Sequence, residues 1–221
     1  MKIGLLGGTF NPIHFGHLHL AVEVREKMNL DQVLFIPAGI PPHKKSEELA
    51  SPSDRYEMIK LAISGRPALD VSRIETDRTE SSFTVQTVRA LLREPSGNHY
   101  SFIIGIDAFL EFETWREPRE LLQLIPFIVV SRPGFKFSQL KALSFLSRLR
   151  DDQFEKIDRA IIPRLDLDIP PYQTLTLLNV SPSPISASEI RDRIKKGLEI
   201  SNKVLPEPVK SFIINKKVFL N

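Results

Sequence analysis

Apolar segments rich in β-branched and aromatic residues alternate along the chain with segments of helical periodicity. Six apolar segments predict strands, at Lys2–Leu6, Gln32–Pro37, Leu69–Ile74, Tyr100–Ile104, Pro126–Val130 and Thr174–Val180. Most of them are continuously apolar, which is typical of strands that are covered on both faces of a parallel sheet. Because helical segments separate the strands, we expect right-handed βαβ units and a doubly wound α/β sheet.

Helical periodicity predicts one helix over Leu18–Met28, a second that begins after Ser51, and a third over Thr84–Arg93. Ser51, followed by Pro52 and Asp54, is typical of a helix N-terminus. Three more helical segments are expected further along the chain, at 138–160 and near 186–196 and 206–214. We expect a single domain over residues 1–221. Its core βαβ units would lie in 1–134, and an elaboration with the C-terminal helices in 135–221.

Composition narrows the classes of function. The chain of 221 residues contains no cysteine, which excludes disulfides, thiolate chemistry and Cys-rich zinc sites. No apolar run approaches the roughly 18–20 residues that span a bilayer. The apolar N-terminal segment is too short for a secretory leader, so we expect a cytoplasmic protein. The net charge is +3 and the basic residues are scattered, which argues against a nucleic-acid surface.

Residues 7–17, G-G-T-F-N-P-I-H-F-G-H, carry most of the chemical information. Gly7 and Gly8 end the first strand and lack a Cβ atom, so a ligand can approach their backbone closely. The helix that follows directs free N–H groups and the positive end of its dipole at an anion. His14 and His17 are three residues apart, so both rings can face the same space and donate to phosphate oxygens. We therefore predict a phosphate site where the first strand meets the first helix.

Other interpretations of this segment stay open. The two glycines could form only a tight turn. The spacing His14-x-x-His17-x-His19 could bind a metal, although neither cysteine nor an H-E-x-x-H motif supports it, and His19 has no assigned role. No G-x-x-x-x-G-K-[ST] motif is present, which excludes a P-loop NTPase. The glycines do not form G-x-G-x-x-G, which argues against a hydride-transfer enzyme.

Residues 8–17 resemble the G-[TS]-F-[DN]-P-x-H-x-G-H signature of the HxGH nucleotidyltransferases. Other segments resemble one branch, the bacterial-type nicotinate-mononucleotide adenylyltransferases. They are P-P-H-K at 41–44, S-F-T at 82–84, F-I-I-G-x-D at 102–107 with Trp115 beyond it, S-R-P-G at 131–134 and I-S-A-S-E-I-R at 185–191. The resemblance covers nearly the whole chain and is weakest at about 135–175. Asn11 stands where many relatives have Asp, and Phe83 and Phe212 stand where Tyr is common.

The resemblance implies a Rossmann-like, doubly wound, mainly parallel sheet with a small C-terminal helical extension. It also implies adenylyl transfer from ATP to nicotinate mononucleotide. The products would be deamido-NAD (nicotinate adenine dinucleotide) and pyrophosphate, in a step of NAD biosynthesis. Mg²⁺ would be bridged through the ATP phosphates, with no metal ligand from the protein. The mononucleotide phosphate is itself the nucleophile, so catalysis would depend on positioning and on charge neutralisation.

The resemblance also implies residue roles. The catalytic residues would hold the triphosphate and are His14, His17 and Arg191. The ATP-binding residues would be Gly7, Gly8, Thr9, Phe10, His14, His17, Gly105, Asp107, Ile185, Ser186 and Arg191. The residues that bind nicotinate mononucleotide would be His43, Lys44, Thr84, Trp115 and Arg132.

Most of these roles have a plainer alternative. Asp107 and Thr84 could each be a helix N-cap. Trp115 could be a partly buried anchor rather than a platform for the pyridine ring. His43 and Lys44 could lie in a solvated loop.

The sequence positions of Arg132 and Arg191 each predict an anionic partner. Arg132 follows a buried strand, where an unpaired charge is costly, so we expect an anionic partner for it. Arg191 lies in the first turns of a helix, where the dipole disfavours a cation, and this also indicates an anion. The alternative for Arg191 is an ion pair with Asp192 or Glu189.

Rival functions also stay open. The acceptor could be nicotinamide mononucleotide, phosphopantetheine or a polyol phosphate. The protein could instead be an inactive nucleotide sensor or a nucleic-acid-binding protein. A homo-oligomer is left open as well.

Overall fold

The computed structural model describes residues 1–40, 49–147 and 151–220. Within these ranges, seven strands form one sheet. They are β1 (Lys2–Gly8), β2 (Gln32–Pro37), β3 (Leu69–Val71), β4 (His99–Gly105), β5 (Phe127–Val130), β6 (Arg164–Leu167) and β7 (Leu175–Leu178). The order across the sheet is β3-β2-β1-β4-β5-β7-β6. The β2–β3, β4–β5 and β5–β7 pairs are parallel, and β6 pairs antiparallel with β7. The Rossmann-like, mainly parallel α/β fold is therefore confirmed.

The described helices lie between and after the strands. They are α1 (Phe15–Lys27), α2 (Pro52–Ala62), α3 (Thr84–Arg93), α4 (Ile106–Phe109), α5 (Pro118–Leu124), α6 (Asp151–Asp158), α7 (Ala187–Lys195) and α8 (Glu207–Lys216). Short 3₁₀ helices cover Phe112–Thr114 and Phe137–Ala142. Among the described helices, none has both the length and the apolar character that a membrane span requires.

The chain divides into two compact units. Unit 1 consists of Met1–Leu5 and Phe83–Pro182, and unit 2 consists of Leu6–Ser82 and Ser183–Asn221. The prediction of a single domain over 1–221 stays a prediction. In unit 1, all residues of β5 and β7 are buried, and Phe109, Phe112 and Phe127 pack together beside them with ring centroids 4.9–5.8 Å apart.

Unit 2 contains α1 and α2, and α8 packs against α2. Helix α1 buries Leu18, Ala21 and Val24 on one side. The N-terminus of α2 is the predicted one, because the Ser51 hydroxyl accepts a hydrogen bond from the Asp54 N–H at 3.0 Å. The backbone N–H at the start of that helix is thereby satisfied.

Several predicted boundaries were wrong. Strand β3 ends at Val71, so Ser72 to Ile74 are not part of it. The segment 138–160 is not one helix, because a 3₁₀ helix and α6 occupy its two ends. The antiparallel edge strand β6 was not predicted, since its alternating polar residues do not resemble a strand covered on both faces. The short helices α4 and α5 were also not predicted.

Candidate active site

The signature loop connects β1 to α1 in unit 2. Its second residue after β1, Phe10, has a φ of +49°, a region that L-residues other than Asn and Asp seldom adopt. This backbone directs the buried Phe10 ring edge-on to the rings of His17 (centroids 5.0 Å apart) and Phe35 (5.5 Å). A Cβ atom on Gly8 would lie 2.9 Å from the Phe10 ring. Gly8 is therefore required by the packing of Phe10, whether or not a ligand approaches.

The two signature histidines lie against each other. The rings of His14 and His17 are stacked, with centroids 3.8 Å apart and an interplanar angle of 28°. His14 is buried (6% exposed) and takes the N-cap position of α1, while His17 is half-buried in the first turn. The expectation that both rings face the same space is confirmed. Two imidazoles at a helix N-terminus, where the dipole favours an anion, form a donor set suited to phosphate oxygens.

Gly16 is needed for this stacked arrangement. A Cβ atom at residue 16 would lie 2.6 Å from the Ser183 Oγ and 3.0 Å from two atoms of the His14 ring. Both distances are shorter than van der Waals contact. The absence of a side chain at residue 16 therefore lets the His14 ring occupy its place.

Arg191 contacts the signature loop from α7. Its Nη1 donates to the Asn11 carbonyl oxygen at 3.0 Å, which brings a third cationic or donor group to the loop that carries the two histidines. Ser186 is the N-cap residue of α7, and its hydroxyl lies 2.7 Å from that of Ser188. Ile185, which precedes it, is half-buried. These three predicted residues therefore lie in one short segment of unit 2, at the start of α7.

Asn11 is a structural part of the loop. Its Oδ1 accepts a hydrogen bond from the Ala50 N–H at 2.9 Å, and the contact is buried. An Asp carboxylate could accept the same bond, since its oxygens are acceptors too. This explains in physical terms how Asn can stand where many relatives have Asp.

Arg55 was not among the predicted site residues, although it contacts the signature loop directly. It lies in α2 with 1% of its surface exposed, and its Nη1 donates to the Thr9 carbonyl at 3.0 Å. Burial lowers the pKa of Arg55 to about 10, and the negative charge of Glu75 opposes that shift. One feature of the sequence indicated that Arg55 is buried. Arg55 is three and four residues before Met58 and Ile59, and so shares the apolar face of the helix.

The remaining predicted nucleotide residues lie in unit 1. Gly105 ends β4 and is the N-cap residue of α4, so the alternative that Asp107 is that N-cap is wrong. The Asp107 Oδ1 lies 3.8 Å from the Arg132 Nε, and both side chains are substantially exposed. Arg132 is therefore not a buried charge, so the premise of a costly burial was wrong, and an anionic ligand for Arg132 stays a prediction. Its nearby carboxylate supplies a partner at the protein surface.

Thr84 and Trp115 also lie in unit 1. Helix α3 begins at Thr84 with Phe83 as its N-cap residue, so the alternative that Thr84 is the N-cap is wrong. Trp115 is half-buried, with its ring centroid 5.5 Å from that of Phe112 and 6.3 Å from that of Phe102. This packing fits the plainer interpretation of Trp115 as an anchor, and leaves part of the indole accessible.

The segment after Trp115 is attached to α3 by two contacts. The Arg116 guanidinium carbon lies 4.8 Å from the centroid of the Phe83 ring, and Arg89 pairs with the carboxylate of Glu117. Arg89 also pairs with Glu120 in α5. The two other predicted acceptor residues, His43 and Lys44, lie outside the described residues.

Comparison with known proteins assigns the family. The family described as Cytidylyltransferase-like matches residues 5–193, so the fold and the signature loop define a nucleotidyltransferase. The probable nicotinate-nucleotide adenylyltransferases of Desulfitobacterium hafniense and Dictyoglomus thermophilum are each 39% identical to the chain. The first comparison covers 96% of this chain and 92% of the relative, and the second covers 100% of both. The chain therefore belongs to the nicotinate-nucleotide adenylyltransferase family.

A solved structure has the same fold. It is the Plasmodium falciparum nicotinic acid mononucleotide adenylyltransferase complexed with NaAD, with a TM-score of 0.71 and 18% identity. The comparison covers 99% of this chain and 97% of that chain. At this identity the likeness supports the fold, and the functional argument comes from the closer relatives.

Proposed function

We propose that this chain transfers the adenylyl group of ATP to nicotinate mononucleotide, giving deamido-NAD and pyrophosphate in NAD biosynthesis. The observation that carries the proposal is the stacked pair of His14 and His17 at the start of α1, with Arg191 held on the same loop. Family membership supports the choice of acceptor, because the relatives named above are described as probable nicotinate-nucleotide adenylyltransferases.

The chemistry needs no covalent enzyme intermediate. A phosphate oxygen of the mononucleotide forms a bond to the α-phosphorus of ATP, and the bond from that phosphorus to the bridging oxygen breaks. The electron pair leaves with pyrophosphate. We assign His14, His17 and Arg191 to the triphosphate, where their donors would neutralise the charge that develops on the leaving group. Gly7, Gly8, Thr9 and Phe10 would shape the backbone around it.

We assign the metal to the substrate and not to the protein. The side chains that converge on the signature loop are two imidazoles and a guanidinium, whereas Mg²⁺ prefers oxygen ligands. Among the described residues, no group of three or more His, Asp or Glu could hold a metal ion. We expect Mg²⁺ to enter with ATP, where it would neutralise charge on the phosphate oxygens.

The predicted residues of unit 1, together with His43 and Lys44, complete the proposal. We assign Gly105 and Asp107, with Ile185 and Ser186, to the adenosine. Thr84, Trp115 and Arg132 would bind nicotinate mononucleotide together with His43 and Lys44. The exposed carboxylate of Asp107 can accept from ribose hydroxyls, and the accessible part of the Trp115 indole can stack on a pyridine ring. The cytoplasmic location expected from the sequence stays a prediction.

Pyrophosphate release tests the proposal. Turnover is measured with ATP and, in parallel, nicotinate mononucleotide, nicotinamide mononucleotide and phosphopantetheine. We expect the highest kcat/KM with the acid mononucleotide. A preference for another acceptor would change the assigned substrate, and ATP binding without turnover of any acceptor would indicate a nucleotide sensor.

His17→Ala tests the assigned role of the histidine pair. We expect kcat to fall by about 10²–10³-fold, the usual cost of removing a donor to a developing negative charge. His19→Ala is the matched control, because His19 is exposed on the same helix two residues further on. The assignment is contradicted if folded His17→Ala protein turns over at the rate of the His19→Ala protein.

A further inference from the structure

Arg55 is a charged side chain in a buried position, where the loss of hydration is unfavourable. It is 1% exposed on the face of α2 that also buries Met58 and Ile59. Burial disfavours its charged form, and Glu75, itself only 8% exposed, is the carboxylate whose charge acts against that effect. A buried charge of this kind is costly unless hydrogen bonds compensate for its lost hydration.

All three guanidinium nitrogens donate to backbone carbonyls. Nε donates to the Ala50 oxygen at 3.1 Å, Nη1 to the Thr9 oxygen at 3.0 Å and Nη2 to the Gly39 oxygen at 2.7 Å. These carbonyls belong to the start of α2, the signature loop and the turn after β2. The planar guanidinium fixes the directions of its donors, so it fixes the three segments relative to one another.

The turn after β2 is itself attached to the end of β1. The Ala38 N–H donates to the Gly8 oxygen at 2.9 Å, directly beside the contacts of Arg55 with Gly39 and Thr9. The Gly8 carbonyl is thus bound directly to Ala38, and the Thr9 carbonyl is linked to the Gly39 carbonyl through Arg55. We call this ring of contacts, formed by Gly8, Thr9, Ala38, Gly39 and Arg55, the carbonyl clamp.

The carbonyl clamp acts on the residue next to Thr9. Phe10 has the left-handed backbone described above, and its ring lies edge-on to His17. A left-handed L-residue relaxes to negative φ unless its surroundings hold it. Holding the Thr9 carbonyl therefore holds Phe10, and Phe10 supports one side of the His17 ring.

We propose that Arg55 is a positioning residue for adenylyl transfer: through the carbonyl clamp and Phe10 it keeps the His17 ring in place for the triphosphate. The inference rests on the proposed function. Arg55 reaches the reaction through other residues, since its side chain is 1% exposed and each of its nitrogens donates to a backbone carbonyl. The alternative is a purely structural arginine, whose loss would lower stability and leave the kinetics of the folded enzyme unchanged.

The test compares Arg55→Lys with Met58→Ala. Met58 is fully buried one turn further along the same helix, so its truncation lowers stability without touching the carbonyl clamp. Lysine retains the charge but cannot donate to three carbonyls in the same plane. Below the melting temperature of both proteins, we expect Arg55→Lys to lose about 100-fold in kcat/KM for ATP, as for a misplaced catalytic group. Met58→Ala should stay within about threefold of the unaltered enzyme.

A double variant separates positioning from general damage. If Arg55 acts through His17, Arg55→Lys combined with His17→Ala should be little slower than His17→Ala alone, because the group being positioned is already gone. Independent effects would multiply. Multiplying losses, or kinetics of Arg55→Lys equal to those of Met58→Ala, would overturn the inference. If Arg55→Lys does not fold, Arg55→Gln carries the same comparison without a charge to bury.

Failure of the proposed function gives a different result. If the unaltered protein binds ATP but transfers no adenylyl group, the proposed function fails. The same variants then test the carbonyl clamp by calorimetry with ATP. A loss of affinity in Arg55→Lys that Met58→Ala does not share, and that is absent on a His17→Ala background, supports the clamp. Equal affinities in Arg55→Lys and Met58→Ala overturn it.

Discussion

Each of the two compact units contains an arginine that joins separate segments, and the surroundings of the two differ. Arg55 in unit 2 is 1% exposed and donates to three neutral carbonyls. The Arg89 side chain in unit 1 is 32% exposed and pairs with the carboxylates of Glu117 and Glu120. One arginine is therefore held by backbone dipoles in the interior, and the other by opposite charges at the surface.

The two pKa shifts have opposite directions for this reason. Burial lowers the pKa of Arg55 to about 10. The hydrogen bond to Glu120, followed by that to Glu117, raises the pKa of Arg89 above its usual range. Both side chains are charged at neutral pH. Buried contacts are screened little by salt, whereas an exposed ion pair is screened strongly. We therefore expect a rigid arrangement around the assigned triphosphate residues and a more compliant one around Thr84 and Trp115.

Removing the buried arginine gives the largest expected effect on stability. Arg55→Met introduces an apolar side chain of similar length, which removes the donor to three carbonyls and the positive charge near Glu75. We expect the free energy of unfolding to fall by about 3–5 kcal/mol, as when one partner of a buried charged network is removed. Denaturant unfolding at about 0.05 M and 0.5 M NaCl should give the same loss, since the contacts are shielded from ions. A loss that shrinks at high salt would remove the contrast with Arg89.

The next largest expected effect is a difference in stability between two glycine substitutions, one in each unit. A Cβ atom on Gly39 would lie 2.2 Å from the Glu75 backbone oxygen, whereas on Gly105 its nearest contacts are the exposed side chains of Asp107 and Arg132. Backbone cannot move aside as side chains can. We expect Gly39→Ala to cost about 1–3 kcal/mol of unfolding free energy. Gly105→Ala should cost less than about 0.5 kcal/mol. If denaturant unfolding gives the same loss of unfolding free energy for both variants, an added methyl group is tolerated equally well at the two positions.

Arg89→Met gives the smallest expected effect. We expect the KM for nicotinate mononucleotide to rise by roughly two- to fivefold, the range of an exposed ion pair, with the KM for ATP unchanged. The rise should disappear at about 0.5 M NaCl. Arg93→Met, which changes an exposed arginine at the end of the same helix, is the control. An unchanged KM for the mononucleotide at low salt would show that Arg89 does not position the acceptor residues.

The unaltered protein and Arg89→Met should also differ in how their stability depends on pH. The hydrogen bond from Arg89 lowers the pKa of Glu120 below its usual value of 4.5. A lowered folded-state pKa contributes stability above the unfolded-state value, and that contribution is lost as the pH falls through the folded-state pKa. The difference in melting temperature between the unaltered protein and Arg89→Met should therefore be present at about pH 7 and vanish in acid.

The parallel part of the fold could be predicted because its strands are buried on both faces. Gln32–Pro37 was predicted to the residue, since a continuous apolar run has few other structures open to it. Strand β6 lacked that signal. Its Asp166 accepts a hydrogen bond from the Thr176 hydroxyl on the neighbouring strand, a partner ten residues away that no local pattern indicates. Helix α5 begins at Pro118, which is a common first residue, but its seven residues are too short for a clear periodicity.

The candidate site likewise has residues that the sequence predicts and contacts that it does not. His14 and His17 could be predicted from their spacing, because the N-cap side chain of a helix lies beside the third helical residue. The partners of Arg55 are backbone carbonyls, which every residue possesses, so no residue type marks them. The close approach of Asp107 to Arg132 likewise depends on two strand ends that are adjacent only in the folded sheet.

Gly16 shows that a glycine in a signature motif can reflect crowding by its neighbours instead of contact with a ligand. The Ser183 hydroxyl and the His14 imidazole together fill the volume that any side chain at residue 16 would need. Protein engineers who randomise the H-x-G-H segment would therefore find residue 16 restricted before any substrate is offered. New acceptor specificity is better sought at positions whose surroundings leave room for a larger side chain.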